Sequence, residues 1–90
     1  GRGLARARLA GADVRVRLRR GGECCRLSER GHTFELRKLF QEAAVPPWER
    51  VRTPLIHIDG QLAAVGDRWV CAPFAATAGE VGLAVSVHRV

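Results

Sequence analysis

Between Arg37 and Leu55 the chain reads RKLFQEAAVPPWERVRTPL. Five side chains in that stretch, Arg37, Lys38, Gln41, Arg50 and Arg52, present guanidinium, ammonium or amide donors. Donors of that kind hold anions through charge-assisted hydrogen bonds, so the chemistry on offer is binding of phosphate oxygens rather than bond making. Arg20, Arg26 and Arg30 lie in the segment just before it and form a second group of candidates. Nucleophilic chemistry finds less support. Cys25 with His32 is the nearest thiol–imidazole pair, and nothing around it supplies the third, orienting group that an activated nucleophile needs. Ser28, Thr53 and Ser86 sit in no nucleophile-elbow context. No glycine-rich run has phosphate-cradling spacing. Structural zinc needs about four convergent ligands, and His32, His57 and His88 are scattered. The expectation is no catalysis, no cofactor and no metal within these 90 residues.

The donors need a scaffold, and the pattern supplies one. Thr33 is a candidate N-cap, with Glu35 near the positive end of the helix dipole. Leu36, Leu39, Phe40 and Ala43 then follow helical spacing and make one apolar stripe. Arg37, Lys38, Gln41 and Glu42 take the outer side. A helix over about 33–44 follows, stopped at Pro46-Pro47, because a residue before proline is pushed out of helical geometry. Trp48 beside the proline pair is expected to pack at the core edge and fix a corner, since large aromatics dominate small cores. Base stacking by Trp48 is the alternative.

The rest reads mostly as strand. Leu4–Leu9 alternates small or apolar residues with arginine. Val14-Arg-Val-Arg-Leu-Arg-Arg20 alternates most clearly, with Val14, Val16 and Leu18 on one face. Arg15, Arg17 and Arg19 lie on the other, about 6.6 Å apart, a step similar to that between nucleic-acid phosphates. A solvated strand face explains the same arginines. Glu23–Leu27 reads as a return strand. Asp59-Gly60 between Leu55–Ile58 and Gln61–Val65 marks a type I′ hairpin. Trp69–Ala72 and the tail from Val81, with Leu83, Val85 and Val87 on one face, complete the strands. The class is α+β: a small β-sandwich-like core of short, mostly antiparallel strands with one main helix.

Charge is uneven. Residues 1–52 hold 13 Arg or Lys against 6 Asp or Glu, while residues 53–90 hold 2 against 3. Such asymmetry points to an anionic partner, or to a solvated, arginine-rich surface. No apolar run approaches the roughly 20 residues of a spanning helix, so no membrane partner is expected. The three cysteines, Cys24, Cys25 and Cys71, are odd in number with two adjacent. They make a poor disulfide framework and read as reduced thiols in a cytoplasmic protein. The chain holds no Met, which suggests one domain, residues 1–90, excised from a larger protein.

The residues Leu36-Arg-Lys-Leu-Phe-Gln-Glu42, then Val45-Pro-Pro-Trp48, Arg50, Arg52 and Pro54-Leu55 resemble the C-terminal substrate-binding domain of bacterial tRNA(Ile)-lysidine synthetases. The likeness continues through Gly60–Val65 and Trp69-Val70. Ala44 stands where that family often has glycine, and Arg37 where it has lysine. Asp67-Arg68 replaces smaller residues. The resemblance implies a fold similar to a domain of the phenylalanyl-tRNA synthetase β subunit. It implies a tRNA partner, the minor isoleucine tRNA held near its acceptor stem. It implies a parent enzyme whose N-terminal catalytic domain uses ATP, lysine and Mg2+ to convert a wobble cytidine to lysidine. Two rivals remain: a protein-interaction or homodimerisation module that keeps its arginines as solvent coat, and a small thiol enzyme using Cys25 or Cys71.

Overall fold

Asp59-Gly60 sets the register of the central sheet. Both residues have positive φ, 50° and 82°, as the two central positions of a type I′ turn require. In the computed structural model, which describes residues 3–28, 31–77 and 79–87, the elements run in chain order. They are β1 (Leu4–Ala5), α1 (Arg6–Leu9), β2 (Val14–Arg17), β3 (Cys24–Arg26), β4 (Thr33–Glu35), α2 (Leu36–Glu42), α3 (Pro47–Arg50), β5 (Leu55–Ile58), β6 (Gln61–Val65), β7 (Trp69–Val70) and β8 (Gly82–Leu83). The class is α+β, as expected. One antiparallel sheet has the order β2-β5-β6-β7, and two ribbons, β1-β8 and β3-β4, flank it.

The sheet is covered on both faces. Ile56 pairs with Ala64 but His57 pairs with Leu62, so Ala63 is an extra residue in β6. A bulge of this kind bends the strand and shifts which side chains point where. Leu55 and Val65 reach one core with Cys25, Leu36, Leu39, Phe40, Val45 and Cys71. Ile58, Ala63 and Ala64 reach the other with Leu4 and Phe74. The first core lies under α2 and positions the basic segment.

The main helix is shorter than 33–44. Thr33 caps nothing; Thr33–Glu35 extend as β4 and pair with β3, Cys25 opposite Phe34. Two β-prone residues, Thr33 and Phe34, find ladder partners there, which outweighs the local helix signal. The Leu36 N–H donates to the Glu23 carbonyl at 2.8 Å, and α2 begins at that point. Leu36, Leu39 and Phe40 are buried as the stripe predicts, whereas Ala43 falls past the helix end and is exposed.

The prolines do not stop α2 either. The stop is a Schellman turn, in which the Val45 N–H donates to the Phe40 carbonyl at 2.9 Å and the Ala44 N–H to the Gln41 carbonyl at 3.1 Å. Ala44 takes the left-handed position, φ 55°. Pro47 instead opens α3 from the first helical position, where its missing N–H costs nothing. Ala44 therefore carries strain that glycine would relieve. Ala44→Gly is expected to raise stability by about 0.5–1 kcal/mol, the left-handed penalty of an alanine less the added backbone entropy of glycine. Urea melts of the two chains measure it.

Other expectations need revision. The alternation over Leu4–Leu9 gives only a two-residue strand before α1. The tail forms strand only at Gly82–Leu83, and residues 88–90 lie outside the described residues. Glu23–Leu27 does return as a strand, β3, but it pairs with β4 and not with β2. β2 itself is an edge strand with all four residues exposed, and Leu18 lies beyond its end.

The reduced-thiol reading is corrected for two of the three cysteines. Cys25 and Cys71 are joined in a disulfide with their Cα atoms 5.4 Å apart, within the usual bridging range. Strand parity explains the choice: Cys25 points into the core at 1% exposure, and its neighbour Cys24 points out as a free thiol. Cys71, directly after β7, meets Cys25 across the core.

Candidate nucleic-acid interface

Three contacts lock the corner after α2. The Arg50 Nε donates to the Val45 carbonyl at 2.6 Å. The Thr53 hydroxyl donates to the Glu49 carbonyl at 2.8 Å, with Thr53 itself buried. Arg68, from the turn between β6 and β7, pairs with the Glu49 carboxylate at 3.2 Å; both side chains are about two-thirds covered. The corner is thus tied to the helix behind it and to the sheet below it.

Trp48 is not one of the ties. It is 65% exposed, contrary to the expected core packing. Arg50 and Thr53 already hold the bend, and the aromatic that completes the core is Trp69, 5.6 Å from the Phe40 ring. Val51 is also open, at 62%. Trp48, Val51 and the exposed Arg52 are spaced at i, i+3 and i+4 around α3 and the turn after it.

The predicted donors fall into distinct environments. Lys38 and Gln41 stand on the outer side of α2, exposed. Arg37 is exposed there too, 3.6 Å from the Glu35 carboxylate, a solvent-facing contact of little strength. Arg50 is half-buried, with its guanidinium 6.0 Å from the centre of the Phe40 ring. Its inner edge is spent on structure. Arg20 is exposed in the turn after β2. Arg26, in β3, is half-buried and its carbonyl accepts from the Ala72 N–H at 2.7 Å. Arg30 lies outside the described residues.

Sequence reasoning passed over Arg19. It was grouped with Arg15 and Arg17 by alternation, but β2 ends at Arg17 and the following turn redirects it. Its guanidinium sits 5.5 Å from the centre of the Phe40 ring. Arg15, by contrast, pairs with Asp13 at 3.0 Å in solvent. The turn that redirects Arg19 is pinned by Glu23, whose carboxylate accepts from the Arg20 N–H at 2.8 Å and the Gly21 N–H at 2.9 Å. Partial burial pushes the Glu23 carboxyl up. The backbone N–H donors and the Arg19 charge outweigh this and leave it below its ordinary value. A lowered folded pKa means stability that is present above the unfolded carboxylate range and lost as pH falls through the folded value. Glu23→Gln is expected to lower stability by about 1 kcal/mol at pH 7. The gap between the two chains should close on acidification, which melts at pH 7 and pH 3 resolve.

With this geometry in view, comparison with known proteins identifies the scaffold. Residues 14–87 match the family described as the TilS substrate C-terminal domain. The chain belongs to this family. Within the TilS substrate C-terminal domain family, the tRNA(Ile)-lysidine synthase of Methylococcus capsulatus is 42% identical over 73 residues, 80% of this chain and 17% of that protein. The tRNA(Ile)-lysidine synthase of Coxiella burnetii is 40% identical over 77 residues, 86% of this chain and 17% of that protein. The chain thus spans about one-sixth of the length of these relatives. No solved structure matches it significantly. The match covers β2 through the tail, so both the corner and the Arg19 turn lie inside the family domain.

Proposed function

We propose that this domain is the tRNA-holding part of a tRNA(Ile)-lysidine synthase and grips the acceptor-stem region of the minor isoleucine tRNA. It performs no chemistry itself. ATP, lysine and Mg2+ act in an N-terminal catalytic domain of the same enzyme, which forms lysidine at the wobble cytidine. The observation that carries this reading is the locked corner, which leaves Trp48 and Arg52 exposed a few residues after the exposed Lys38 and Gln41 of α2. A-form stems offer phosphates, 2′-hydroxyls and shape rather than readable base edges. Rigidly mounted cations suit that target, and an exposed indole suits an unstacked base or ribose at the end of a stem. A cytoplasmic setting goes with this function. No helix among the described residues is long and apolar enough to cross a membrane.

Trp48 tests the proposal with little risk to the fold. Trp48→Ala should change stability by less than about 0.5 kcal/mol, as surface substitutions do. It should weaken tRNA binding about tenfold, the lower part of the range for loss of one stacked base. Unchanged affinity would remove Trp48 from the interface.

One observation favours a protein-contact reading instead. The open edge strand β2 leaves Val14 at 46% exposure and Val16 at 67%, with Leu18 at 62% just beyond it. Unpaired edges of this kind invite strand addition. A salt-insensitive dimer in sedimentation, with no affinity for RNA, would support that reading over the first.

A further inference from the structure

We infer that Arg19 and Arg50, whose guanidiniums both lie within 6.0 Å of the centre of the buried Phe40 ring, together bind one phosphodiester group. This rests on the RNA-binding reading and assigns a particular phosphate site within it.

Both guanidinium carbons lie within 6.0 Å of the same ring centre. They come from opposite ends of the basic segment, Arg19 from the turn after β2 and Arg50 from the corner after α2. Phe40 is fully buried, so the ring is covered and the arginines form part of its lid. Each arginine has its inner edge packed. The Arg50 Nε is held by the Val45 carbonyl, while the Arg19 Nε is buried with no hydrogen-bond partner. Among the described residues, neither guanidinium has a carboxylate at ion-pair distance. Glu23 acts on Arg19 from farther away and spends its oxygens on backbone N–H groups.

Two guanidiniums near one apolar ring, with only the more distant Glu23 carboxylate acting on one of them, leave positive charge that an anion can neutralise. Partial burial strengthens what that anion gains, because the guanidiniums have already shed part of their water. Their outer N–H groups remain available as donors. A phosphate offers several acceptor oxygens and takes two guanidiniums at once, which is the geometry that arginine favours over lysine. Packing against the ring also holds each guanidinium in place before the ligand arrives, so less side-chain freedom is lost on binding.

The test titrates the chain with tRNA at several salt concentrations, as wild type, Arg19→Gln, Arg50→Gln and the double variant. Each single variant should weaken binding several-fold while changing the slope of log affinity against log salt by less than about one unit, because the other arginine still meets the phosphate. The double variant should lose about one unit, because both side chains serve the same phosphate. A loss of two units would mean two separate contacts and overturn the shared site. Arg19→Gln with the wild-type affinity would overturn it as well. Arg50 also holds the corner, so a second measurement uses the wild-type chain alone. The Nε–Hε resonances of Arg19 and Arg50 should shift during tRNA titration with one common midpoint. Resonances that stay fixed while tRNA binds would overturn the pair but leave the RNA-binding reading standing. A wild-type chain that binds no tRNA at low salt would overturn both.

Discussion

Phe40→Ala is expected to cost about 3–5 kcal/mol, the range for truncating a buried aromatic. Few substitutions in this chain should cost more. Phe40 is fully buried in the core between α2 and the sheet, packs near the Trp69 ring and has the guanidiniums of Arg19 and Arg50 within 6.0 Å of its ring centre. Its carbonyl also accepts the Val45 N–H that closes α2. The backbone bond survives the truncation, but the Phe40–Val45 packing that accompanies it does not. A domain of this size has a net stability of about 5–10 kcal/mol, so most of it would be lost. Thermal melts should show a large fall in Tm or no cooperative transition. A shift of only a few degrees would mean that the core collapses around the gap and that Phe40 is not its centre.

Arg50→Met should cost about 2–3 kcal/mol, although arginine is usually a surface residue. Methionine keeps the length and removes the donor. The carbonyl of the buried Val45 then loses its partner, and an unsatisfied buried acceptor costs about 1–3 kcal/mol. Loss of the guanidinium over Phe40 adds to that. Arg52→Met is the matched control: exposed and two residues on, it should change stability by less than about 0.5 kcal/mol. Its loss should nevertheless lower the salt slope of tRNA binding by about one unit. The two arginines look alike in sequence and differ in whether stability or only binding responds. Equal stability losses would contradict the distinction between them.

That distinction marks where sequence reading stopped. The stripe Leu36, Leu39 and Phe40, the Asp59-Gly60 hairpin and the strands on either side of it were legible, because each depends on residues close in the chain. The family likeness was legible from the helix and the Pro-Pro-Trp corner. The start of α2 was not, since Thr33 and Phe34 extend only because β3 lies beside them. Trp48 was misplaced for a related reason. Composition says that a tryptophan seeks burial, but Arg50 and Thr53 hold the bend and Trp69 is the tryptophan packed on Phe40. Arg19 was hidden by an alternation that ends two residues before it. The Cys25–Cys71 bond joins positions 46 residues apart, and local spacing carries no trace of such a pair. Arg50 sits in the corner that follows the proline pair, but its contact with Val45 depends on the Schellman turn, which the alanine at position 44 conceals.

The central claim is that a locked corner and the helix behind it present cations to RNA. It is tested most directly by binding of the unmodified chain to tRNA across a salt series. The account predicts measurable binding at low salt and a log–log slope of about −3 to −5, as several phosphate contacts require. A flat dependence, or no binding at low salt, would contradict it.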